Sequence, residues 1–108
     1  MRTVNVRIAL DEAVMLDETK KRKGFSNEAK LIKFFLSELH KNEELRREFR
    51  KFIIDSRIDI DNSITQSYTL VLSDDEYRQL RELADEFALT MKSFLRFLIH
   101  FLYNKTTS

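Results

Sequence analysis

The chain of 108 residues has no cysteine, no proline, no tryptophan and one glycine, Gly24. Without cysteine there are no disulfides, no thiolate metal sites and no cysteine nucleophile. Without proline, and with a single glycine, little interrupts long helices. Histidine is scarce too: His40 and His100 lie far apart, with no H-x-x-x-H pair, so neither a zinc centre nor a histidine-based catalytic site is expected. No phosphate loop and no G-x-S-x-G occurs. The carboxylates at Asp11, Glu12 and Asp74 to Glu76 fall where helices begin, and the helix dipole explains them there. An enzyme is not expected, and neither is a cofactor or a small-molecule ligand.

Long hydrophobic runs are missing as well. The most apolar stretch, residues 94–103, is about half the ~20 residues a membrane helix needs and contains Arg96 and His100. Residues 1–16 are broken by Arg2, Arg7, Asp11 and Glu12, which excludes a signal-peptide core. A soluble cytoplasmic protein without a membrane partner is expected, in the host cytoplasm if the source is a virus.

What the chain does have is patterned. Its length suits one domain. Net charge is +1, yet residues 1–54 hold 13 Lys/Arg against 9 Asp/Glu, and residues 55–108 hold 6 against 9. Such asymmetry hints at an interaction surface in the basic half, although chance unevenness on a solvated surface gives the same count.

Residues 3–8 alternate, with Val4, Val6 and Ile8 on one face and Thr3, Asn5 and Arg7 on the other, the period-2 mark of a half-buried strand. Leu10, Ala13, Val14 and Leu16 then suggest a helix, and Gly24 a helix stop. Ser26 is placed to cap a second helix carrying Leu31, Phe35, Leu36 and Leu39. The same order returns. Tyr68, Leu70 and Leu72 alternate with Ser67, Thr69 and Val71, and Ser73 to Glu76 forms a capping box. A helix with Tyr77, Leu80, Ala84 and Phe87 follows, then Thr90 as cap of a last helix with Phe94, Leu95, Leu98, Ile99 and Leu102.

One offset of 64 residues superposes these two series without a gap from Thr3 to Lys41. Identities are few, among them Glu12/Glu76, Leu16/Leu80 and Leu31/Leu95; the persistent match is of element order, caps and apolar faces. The reading is strand–helix–helix twice, at residues 1–41 and 66–108, with a helix capped by Asn42 and a polar loop over residues 42–65 between them. The fold class is mainly α with a short antiparallel β-ribbon, in one compact domain. One amphipathic strand cannot satisfy itself, so the two strands should pair, either within a chain or exchanged between chains.

On these residues (the strand of Val4 to Ile8, Leu16, the Gly24 turn, Ser26, Leu31 and Phe35, with Tyr68 to Leu72, Leu80, Leu83, Thr90, Leu95 and Ile99) the chain resembles the ribbon-helix-helix family of MetJ and Arc. Two motifs in one chain resemble the tandem transcription regulators of archaeal viruses. The resemblance covers about 80 residues on loosely defined patterns. It implies a sequence-specific transcription regulator whose ribbon enters the major groove of double-stranded DNA. It assigns base reading to Thr3, Asn5 and Arg7 and to Ser67, Thr69 and Val71. Arg7 suits guanine O6 and N7, and Asn5 suits adenine N6 and N7; Val71 offers only apolar contact. Phosphate contacts are assigned to the second-helix starts, Ser26 and Asn27 with Thr90, Met91 and Lys92. The run Lys20, Lys21, Arg22 and Lys23 is a candidate for phosphate neutralisation, or a solvated helix end with cations at the dipole. Ala88 stands where the first copy has Gly24, so a different turn is expected there.

Self-association is also expected. Phe97 and Phe101 lie outside the last helix's apolar stripe, and either a neighbouring molecule or the helix of Leu45, Phe49, Phe52 and Ile53 must cover them. The alternative reading is a protein-interaction module such as an antitoxin or adaptor. Antitoxins of this family carry a tail after the motif, and only Asn104 to Ser108 follows here, which favours the regulator.

Overall fold

A computed structural model describes residues 1–56 and 65–107 of the chain. In order it contains β1 (Arg2–Ala9), α1 (Leu10–Lys23), α2 (Glu28–Lys41), α3 (Glu43–Asp55), β2 (Thr65–Leu72), α4 (Asp74–Glu86) and α5 (Met91–Thr107). The chain is mainly helical with one two-stranded antiparallel sheet. Most of the expected connecting loop, at residues 57–64, lies outside the described residues.

The strands pair within the chain, Arg2 opposite Leu72 and Ala9 opposite Thr65. Asn5 therefore faces Thr69, its own equivalent at the offset of 64, and a local two-fold axis passes through that pair. Because opposite residues share a face, Val4, Val6 and Ile8 point the same way as Leu70 and Tyr68, onto the helices. Burial raises the Tyr68 hydroxyl to a pKa of about 12, helped by the charge of Glu28.

Local chemistry explains where the helices begin and end. Ser73 Oγ accepts from Glu76 N–H and the Glu76 carboxylate accepts from Ser73 N–H, closing a capping box. Asn42 and Thr90 cap α3 and α5, accepting from Leu45 N–H and Ser93 N–H. The cap of α2 is Asn27, one residue later than the expected Ser26, and its side chain accepts from Lys30 N–H. Gly24 closes α1 with φ +78° and donates to Lys20 and Lys21 carbonyls. Ala88 adopts φ +56°, so the expected difference between the two turns does not arise: the turn after α4 is left-handed like that at Gly24, with a residue that has a Cβ. That conformation costs an L-residue roughly 1–2 kcal/mol. Ala88→Gly should therefore stabilise the fold by about 1 kcal/mol, after the added chain entropy of glycine. Urea unfolding reads it as a higher midpoint at constant slope, and a lowered midpoint would refute it.

The helices cross over between the two halves. α1 packs chiefly on α5, and α2 on α4. Leu31, Ile32, Leu36 and Leu39 of α2 and Phe94, Leu95, Leu98 and Ile99 of α5 are buried with the inward faces of both strands. The first helix departs from its reading. Leu10 and Val14 are exposed, and the buried positions of α1 are Glu12, Leu16 and Thr19. The offset carries these to Glu76, Leu80 and Leu83 of α4, so the face is right in place and unexpected in composition.

α3 has no partner under the offset and covers the flank of α5. Phe49 is fully buried, with ring centroids 5.1 Å from Phe87, 5.3 Å from Phe94 and 5.0 Å from Phe101. Phe101 is buried against Phe49 and Phe52, so the interface expected at Phe101 is filled by the chain's own helix. Phe97 is half-buried on the same core.

Candidate nucleic-acid interface

The outward face of the ribbon carries Thr3, Asn5 and Arg7 from β1 and Ser67, Thr69 and Val71 from β2, all six exposed. Period-2 geometry puts them there because their neighbours are the strand's buried residues. Across the ribbon they form three pairs: Arg7 with Ser67, Asn5 with Thr69, and Thr3 with Val71. At the centre Thr69 Oγ1 donates to Asn5 Oδ1 at 2.7 Å. That bond orients the carboxamide, leaving its two N–H donors and one further lone pair for a ligand. A ribbon with strands about 4.8 Å apart, plus side chains, matches a groove about 12 Å wide.

The expected phosphate residues are not equivalent. Lys20 is turned inward, with Asp17 at 3.1 Å and Glu28 at 3.3 Å. Its hydrogen bonds to Asp17, then to Glu28, raise its pKa, while those that Lys21 and then Lys20 donate lower that of Asp17. Lys21 reaches Asp17 at 2.9 Å and Arg22 lies 3.9 Å from Glu18, but both stay exposed at the end of α1. Lys23 stands over the Phe35 ring at 5.4 Å. The start of α2 has Ser26 and Asn27 exposed, but Glu28 follows in its first turn and opposes an anion. The start of α5 has no acidic residue in its first turn; Thr90 and Lys92 are exposed and Met91 is half-buried. The second helix start is thus the better anion site electrostatically, although it belongs to the acidic half of the chain.

One polar cluster escaped the reading of the sequence. Glu12, 1% exposed, accepts from Ala9 N–H at 2.7 Å and from Arg96 Nε at 2.8 Å through Oε1. Its Oε2 lies 2.9 Å from His100 Nε2. Burial pushes this carboxyl up, but hydrogen bonds from His100, Arg96 and Ala9, with the Arg96 charge, outweigh it and hold it below the usual 4.5. The signal was present: Arg96 and His100, four apart on an apolar helix, need an acid facing them. The cluster ties the strand–helix junction of the first half to α5, and nothing about it requires a substrate. Among the described residues no group of acids and histidines is arranged to hold a metal, and no helix is long and apolar enough to cross a membrane.

No protein-family profile, characterised protein or solved structure matches the chain.

Proposed function

We propose that this chain is a sequence-specific DNA-binding transcription regulator of the ribbon-helix-helix type, with two motifs in tandem and the ribbon inserted in the major groove. The observation that carries the proposal is the ribbon's outward face: six exposed side chains on one surface, with Asn5 oriented by Thr69 and Arg7 two positions along. Support also comes from the order of elements repeated at the offset of 64 and from the crossed packing of α1 on α5 and α2 on α4. Double-stranded DNA is the proposed partner. Backbone phosphates would be met by Lys21, Arg22 and Lys23 and by the start of α5, with Ser26 and Asn27 at the start of α2 placed less favourably beside Glu28.

Titration of a duplex pool at two salt concentrations tests this. Binding should weaken steeply with salt. Arg7→Ala should cost about 1–3 kcal/mol on a preferred duplex and relax choice at one base pair. Lys21→Ala should weaken all duplexes alike and lower the salt slope by about 1. Should Val71→Ala harm specific binding more than Arg7→Ala, the reading strand has been misassigned.

A specific observation favours a second reading, contact with another protein. α1 and α2 expose Leu10 (51%), Val14 (58%) and Phe34 (46%). A chain that retards no duplex at either salt concentration would shift the proposal to an adaptor or antitoxin using these residues. Self-association, if it accompanies DNA binding, would also draw on them in place of Phe101.

A further inference from the structure

We propose that the ribbon reads DNA with a fixed polarity, on a short core that is not its own reverse complement; this rests on the DNA-binding reading above. The local two-fold axis through Asn5 and Thr69 relates the two ends of the exposed face. It exchanges Ser67 with Thr3, two small hydroxyl side chains. It also exchanges Arg7 with Val71, and these share no chemistry. One end of the face therefore offers a planar fork of N–H donors and a full charge. The other offers an isopropyl group, 42% exposed, beside the methyl of Thr3.

These ends select different base pairs. A guanidinium bonds guanine O6 and N7 together, while apolar groups in the major groove find the thymine methyl. The centre is unequal too, since Asn5 carries the carboxamide and Thr69 spends its hydroxyl proton on holding it. From residue 3 to residue 7 the strand advances about 13 Å, close to four base-pair steps of about 3.4 Å. The core is then about four or five base pairs, with guanine at the Arg7 end and an A·T pair at the Val71 end. Two equal ribbon strands from two chains would specify the same base at both ends; a single chain carrying both strands is free of that requirement.

Selection from a random duplex library tests the polarity. The wild-type chain should enrich a non-palindromic core with guanine at one end only. Val71→Arg, a change at an exposed position, should add guanine at the other end and make the two ends of the core alike. Arg7→Val should remove the guanine and weaken binding roughly 10- to 100-fold, the discrimination of one good bidentate contact. Circular dichroism confirms that each variant is folded before selection. A wild-type core with guanine at both ends overturns the inference while leaving the DNA-binding reading standing. So does guanine retained by Arg7→Val. If the wild type enriches no duplex at all, the DNA-binding reading fails and the polarity falls with it.

Discussion

Glu12→Ala is expected to lower the unfolding free energy by about 3–5 kcal/mol, because it takes the carboxylate from a buried cation and removes a helix cap in one step. Arg96 and His100 lose the carboxylate they share, and Ala9 N–H loses its acceptor. Against the roughly 5–15 kcal/mol of a typical domain, this is a large fraction of the total. The cost comes from leaving partners uncompensated, not from a high net value of the cluster. Replacing Glu12, Arg96 and His100 together by leucine, methionine and leucine should therefore recover most of the loss, less about 1 kcal/mol for the cap. Chemical denaturation of the single and triple variants separates the two ideas; a triple variant as unstable as Glu12→Ala would contradict them. The pH dependence has a definite sign. Since the folded carboxyl titrates below 4.5, its stabilisation is complete above the unfolded value and is lost as pH falls through the folded one. Glu12→Gln should flatten that acid limb of the stability curve and leave the neutral and alkaline limbs in shape.

Phe49→Ala should destabilise by a similar 3–5 kcal/mol. The ring is fully buried at the meeting point of Phe87, Phe94 and Phe101, and no rearrangement of α3 alone refills a space that α5 and the C-terminal end of α4 define. Phe49→Leu keeps much of the apolar area and should cost well under half as much. Loss of Phe49 also uncovers α5, so the alanine variant should bind a hydrophobic dye and self-associate more strongly than the wild type. Thermal unfolding with sedimentation measures both effects. A variant within 1 kcal/mol of wild type would show that α3 merely rests on the surface.

The strands, the caps at Ser73, Asn42 and Thr90 and the buried stripes of α2 and α5 were legible because each is written in local chemistry: alternation, a short oxygen-bearing side chain, or leucine and phenylalanine at helical spacing. The pairing of the strands followed from the repeat and was found within the chain. The face of α1 was not legible. Its buried positions hold Glu12 and Thr19, polar residues that fit a core only because α5 supplies Arg96 and His100 and Met15 O accepts from Thr19 Oγ1. Leu10 and Val14, apolar and exposed, misled in the other direction. The turn at Ala88 was misread for a related reason: tertiary packing holds a left-handed conformation that local preference alone would give to glycine. What covers Phe101 is not written in its own helix, and only the position of α3 decides between a neighbour and the chain itself. For the candidate interface, alternation identified all six outward residues, but the bond from Thr69 to Asn5 and the turning of Lys20 toward Asp17 and Glu28 depend on side-chain geometry that spacing does not encode.

Methylation interference on an enriched duplex tests most directly the proposal that the outward face of the ribbon reads base edges in the major groove. Methylation at guanine N7 lies in the major groove, whereas methylation at adenine N3 lies in the minor groove. N7 methylation of the guanine at the Arg7 end should abolish wild-type binding, Arg7→Ala should be indifferent to that modification, and adenine N3 methylation within the core should have little effect. Binding blocked by adenine N3 methylation and insensitive to every guanine N7 would contradict it.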